Sequence, residues 1–106
     1  MKLSHVTTRQ NLASIQGHGL LVSKGDPQAK IKGCWMCTAS NLGWAILHTM
    51  RKHKAHLEEV IVLEVRIPRR RLTRFRRGLY YTVQDVPARA IGTVTPGEAF
   101  GASAST

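Results

Sequence analysis

From position 59 to 67 the chain alternates. Ile61, Leu63, Val65 and Ile67 fall on one face, while Val60 and Val62 give way to Glu64 and Arg66 on the other. That period of two predicts a strand, which Pro68 ends by removing a ladder donor. Upstream the period changes. Leu42, Ala45, Ile46 and Met50 recur at helical spacing, with Leu47 widening the stripe. Ser40 or Asn41 can accept from the free amides at the start of this helix, and Arg51, Lys52 and Lys54 suit its C-terminal end. Residues 31–37 are apolar or small at nearly every position, which predicts a short strand covered on both faces.

The remaining segments fit around these elements. LSHVTT (3–8) predicts a first strand carrying His5, and Thr7 or Thr8 can cap a short helix over 9–16 with Leu12 and Ile15 inward. Gly17 or Gly19 ends that helix, and an apolar Leu20-Leu21-Val22 follows. Residues 23–30 form a turn or loop by their Gly, Asp and Pro content, and HKAHLEE (53–59) is a polar connection. RRRLTRFRR (69–77) is a run of arginines with Leu72 and Phe75 as apolar anchors. Residues 79–83 predict a strand, Pro87 a turn, and 91–94 a last strand. GASAST (101–106) is small and polar and predicts a disordered tail. The sum is a single compact α+β domain over 1–100, with several short strands and one or two helices.

Composition adds a bias in partners. A chain of 106 residues suffices for one core and no more. Its formal charge of +10 favours encounter with polyanions such as RNA or DNA. No apolar run approaches the ~20 residues of a membrane span, and MKLSHVTT has no hydrophobic signal core. A cytoplasmic protein without membrane contact is expected.

Three groups of residues can carry chemistry. Arg69, Arg70, Arg71, Arg74, Arg76 and Arg77 crowd six guanidinium groups into nine positions, which repel unless an anion or solvent screens them. Guanidinium suits bidentate phosphate contact, and Tyr80 and Tyr81 can stack bases, so a nucleic-acid contact competes here with a merely solvated loop. Cys34 and Cys37 form a CxxC with His48, His53 and His56 downstream, which invites a zinc reading. The spacing does not match the common finger, and strand alternation turns the two thiols apart, so two buried cysteines acting as small hydrophobes is the preferred account, with no metal. His5, two positions from Thr7, can hydrogen-bond a ribose or serve as an edge histidine satisfied by backbone.

LSHVTTRQNLASIQGHGL, GCWMCTASNLGWAILH, VIVLEVRIP and YYTVQDVPARAIGTV, taken in order, resemble the successive blocks of ADP-ribosyltransferase-like domains over about residues 3 to 95. Related openings occur in DNA ADP-ribosyltransferase toxins, tRNA 2′-phosphotransferases and rifampin ADP-ribosyltransferases. The resemblance implies an ADP-ribosyltransferase-like fold that takes NAD and transfers ADP-ribose to a macromolecular acceptor. Breaking the nicotinamide–ribose bond develops positive charge on the sugar, so such a site needs a ribose hook, an aromatic wall and a polar group near the developing cation. By resemblance His5 is the hook with Thr7 its neighbour, Trp35 is the wall, and Thr38 and Ser40 lie near the cofactor. Many members place a Glu at the start of the strand corresponding to 79–83. GLYYTVQ has none, which leaves Tyr80 as the substitute, with Gln84 and Asp85 at the far end. The alternative is a small basic nucleic-acid-binding protein without catalysis.

Overall fold

The computed structural model describes residues 1–25 and 29–100. The expected loop at 23–30 falls partly, and the expected tail at 101–106 wholly, outside them. Strands β1 (Lys2–Thr8), β2 (Cys34–Cys37), β3 (Val60–Arg66), β4 (Thr73–Arg76), β5 (Leu79–Thr82) and β6 (Ile91–Pro96) form one sheet of order β4-β5-β2-β1-β3-β6. Each of the five strand pairings is antiparallel. Helix α1 (Leu12–His18) and helix α2 (Leu42–His53) complete an α+β domain, linked by single 3-10 turns.

The alternation of β3 sets the core. Ile61, Leu63, Val65 and Ile67 pack with Leu3, Ile15, Leu20, Cys34, Met36 and Val86 on the α1 face of the sheet. Val60 and Val62 pack on the other face with Ile46, Leu42 and Met50 of α2. The strand is therefore buried on both faces, and truncating Leu63, which is fully buried, would cost about 2–5 kcal/mol. Seven register pairs join β1 to β3, from Lys2↔Arg66 to Thr8↔Val60. On its other side β1 meets β2 at a single pair, Ser4↔Cys37.

Several expectations are corrected in detail. The second strand is four residues rather than seven, because only Cys34–Cys37 finds a partner in β5. Leu47 is 53% exposed; the buried stripe of α2 instead includes Thr49, whose hydroxyl donates to the Ala45 carbonyl at 2.8 Å. Neither helix start carries a side-chain cap bond. At α1, Asn11 Nδ2 donates back to the Thr7 and Thr8 hydroxyls at 3.0 and 3.3 Å. The polar connection after α2 contains one 3-10 turn, Leu57–Glu59, with a reciprocal cap between His56 and Glu59. The arginine run is not a loop. It supplies a 3-10 turn at Arg69–Arg71 and then the edge strand β4, exposed at all four positions. Phe75 is consequently 53% exposed rather than a core anchor, whereas Leu72 packs against the α1-side core. Gly19 ends α1 with φ of 80°, which a side chain at this close approach to the Val86 carbonyl would not tolerate.

Candidate functional site

The β4–β5 hairpin turns at Arg77-Gly78, where Gly78 takes φ of 79°. Two bonds dock this turn on the segment that starts α2. Asn41 Nδ2 donates to the Arg77 carbonyl at 3.0 Å, and the Thr38 amide donates to the Gly78 carbonyl at 3.0 Å. The arginine-rich hairpin is thereby held beside the N-terminal half of α2.

Alternation then sorts the hairpin's side chains. Trp35 pairs in register with Tyr81, and Tyr81 with Thr73, so these residues share one face. There the Trp35 ring lies 4.9 Å from Tyr81 in a tilted stack and 5.2 Å from Phe75 edge to face. Beside them the Arg76 guanidinium sits 5.0 Å from the Trp44 ring, and Trp44 stacks on His48 at 5.1 Å. Trp44 is 45% exposed. The result is an aromatic surface on β2, β5 and β4, extended by α2 and bordered by cations.

Four of the described carboxylates are engaged elsewhere. Glu64 pairs with Arg66 at 2.8 Å and Glu98 with Arg9 at 3.8 Å. Glu59 is engaged with the His56 amide, and Asp85 Oδ1 accepts from the Val22 amide at 2.8 Å. Among the described residues, none of Arg69, Arg70, Arg71, Arg74, Arg76 and Arg77 has a carboxylate partner.

His5 lies elsewhere in the sheet. Its position between Ser4 and Val6 puts it on the α1 face with Leu3 and Thr7, opposite Leu63 of β3. The antiparallel register continued one residue from Ser4↔Cys37 brings His5 level with Met36, which pairs with Tyr80, which pairs with Arg74. His5 and Tyr80 thus share a face with buried Met36 between them, while the Trp35 side chain leaves the sheet on the opposite face. The connection from His5 to Trp35 is through backbone: His5 Nδ1 is 2.8 Å from the Trp35 carbonyl oxygen. A carbonyl only accepts, so Nδ1 carries the hydrogen and, in the neutral ring, Nε2 keeps its lone pair. Burial lowers the imidazole's pKa below the usual 6.5, opposed by the bond to Trp35.

The other named residues are dispersed. Thr7 is buried and accepts from Asn11. The Thr38 and Ser40 hydroxyls bond each other at 2.8 Å just before α2. Gln84 follows β5, with its amide donating to the Thr82 hydroxyl at 3.3 Å. Gln84 lines a groove of about 420 Å³ with Arg70, Arg71, Thr73, Thr82 and Val83. A smaller cavity of about 180 Å³ is lined by Thr8, Arg9, Gln10, His53, Ala55 and Glu59. Neither includes His5 or Trp35. Cys34 and Cys37 occupy opposite faces, and burial pushes both thiols up to about 11, with Asp85 adding to the effect at Cys34.

Sequence reasoning missed Trp44 and undervalued Phe75. The available signals were a tryptophan lying off the buried helical stripe and an aromatic residue set among arginines. No protein-family model matches the chain, and no curated protein matches it.

Proposed function

We propose that this protein binds single-stranded nucleic acid across the exposed face of β4, β5 and β2. One observation carries the reading: the Trp35–Tyr81–Phe75 array and the Arg76–Trp44 pair lie on an arginine-rich hairpin whose six arginines have no carboxylate partner among the described residues. Aromatic faces accept any base by stacking, and guanidinium groups follow the phosphates between bases. An edge strand exposed along its whole length, as β4 is, leaves both kinds of group open to a flexible strand. The test is fluorescence anisotropy with a labelled oligonucleotide lacking secondary structure, across a range of salt. Affinity should fall log-linearly with salt, with a slope of about −0.7 for each phosphate neutralised. Arg76→Gln with Arg77→Gln should weaken binding and flatten the slope. Absence of binding at low salt, or an unchanged slope in the double variant, overturns the reading.

The fixed His5 tautomer favours a second reading, an ADP-ribosyltransferase-like domain acting on NAD. His5 Nε2, with its lone pair, suits acceptance of a ribose hydroxyl, on the α1 face that Tyr80 shares. In that reaction the bond from ribose C1′ to nicotinamide breaks, its electron pair leaves with nicotinamide, and an acceptor nucleophile takes the sugar carbon. Calorimetric titration with NAD tests the idea. Heat that disappears in His5→Ala supports it, and no heat at millimolar NAD removes it.

A further inference from the structure

The groove at the open end of the hairpin has no part in base stacking, yet it gathers the means to hold an anion. Arg70 and Arg71 reach it from the turn before β4, Thr73 from the first position of β4, and Gln84 from the turn after β5. Among the described residues, no carboxylate lines it. The Thr82 hydroxyl accepts the Gln84 amide at 3.3 Å and so holds the turn that carries Gln84. Two guanidinium groups, one hydroxyl and one carboxamide offer more donors than a bridging phosphodiester can use. A diester presents two free oxygens and one charge. A phosphate monoester presents three oxygens and between one and a half and two charges near neutrality, roughly.

Position decides which phosphate this is. Thr73 is in register with Tyr81, so the groove adjoins the Tyr81–Trp35 stack. Arg76 and Trp44 lie toward the other end of β4, about 10 Å away at ~3.4 Å per residue. A strand laid along the hairpin therefore runs from the Arg76–Trp44 pair over the aromatic surface and reaches the groove at one end. We propose that this groove seats the terminal phosphate monoester of a single-stranded nucleic acid, so that the protein prefers phosphorylated strand ends. The inference rests on the strand-binding reading above and adds the chemistry of the end.

Three oligonucleotides of one sequence test it: both ends hydroxyl, 5′-phosphate, and 3′-phosphate. One phosphorylated form should bind roughly ten-fold tighter than the unmodified strand, and the advantage should diminish below about pH 6, where the monoester takes up a proton. Arg70→Gln with Arg71→Gln should abolish the advantage, whereas Phe75→Ala should weaken all three strands and keep it. Equal binding of all three strands, or an advantage that survives the arginine double variant, overturns the proposal. If no strand binds, the strand-binding reading fails, and a nucleoside monophosphate titration then decides the groove separately. Binding lost in the arginine double variant supports a monoester seat, and no binding removes it.

Discussion

His5 Nδ1 donates to the carbonyl oxygen of Trp35 across 2.8 Å, tying β1 to β2 near the one register pair that joins them. The bond fixes a tautomer and closes a backbone acceptor on a short strand. It also makes the histidine a pH-sensitive part of the fold.

Burial holds the folded-state pKa of His5 below 6.5, its ordinary value. Above pH 6.5 the ring is neutral whether the chain is folded or not, and its titration adds nothing. As pH falls below 6.5 the unfolded chain takes up a proton that the folded state resists, so stability should decline down to the folded-state pKa. Urea melts between pH 5 and 8 should show this limb, and His5→Gln should flatten it. A limb of unchanged steepness in the variant would place its origin in another group.

Phe75 and Trp44 protrude, so their removal separates binding from folding. Each Ala variant should cost no more than about 1.5 kcal/mol of thermal stability, the scale of one lost aromatic pair. Each should lose about 1–3 kcal/mol of affinity for a single strand, the range for one lost base stack. Trp35→Ala should impair both properties, because its ring touches both Phe75 and Tyr81. Paired melting and anisotropy measurements check all three variants. Unchanged affinity in Phe75→Ala and Trp44→Ala would rule out stacking on this face.

The parts of the fold that could be read from sequence were those whose period reports burial directly. β3 alternates because both its faces pack, and the Leu42–Ile46–Met50 stripe of α2 packs on Val60 and Val62. β4 had no such signal: an edge strand exposed at every position has no apolar alternation, and its arginines read as a loop. Leu47 misled because spacing alone does not reveal where an apolar stripe ends. The site was legible as types of residue and not as an arrangement. Trp35 and His5 were both singled out, but whether they share a face depends on strand register. That is a property of β1 pairing with β2, which neither segment shows alone.

The CxxC pair should behave as two unreactive thiols. Both are buried on opposite faces of β2 with pKa values near 11, so very little thiolate exists at pH 7. Alkylation of native protein by a maleimide should be far slower than that of the same protein in denaturant, at both cysteines. Mass spectrometry of partially reacted samples follows each residue. Rapid native labelling at either position would contradict its burial.

Gly78 joins the arginine hairpin to the start of α2, so a methyl group there should affect fold and function together. Its φ of 79° already costs about 1–2 kcal/mol for a residue with a side chain. A Cβ would also stand 2.8 Å from the Asn41 carboxamide, the group that accepts the turn by donating to the Arg77 carbonyl. Gly78→Ala should therefore lower stability by about 1–3 kcal/mol, a range typical of strained backbone positions. It should also weaken strand binding, because the turn that sets Arg76 over Trp44 must shift. Asn41→Ala separates the two costs. It removes one of the two docking bonds while leaving the glycine and the Thr38 amide bond in place, so it should loosen the hairpin and reduce binding without the backbone strain. Urea melts give the stability of each variant, and anisotropy gives its affinity. Binding that stayed at wild-type strength in both would show that the hairpin keeps its arginines in position without α2.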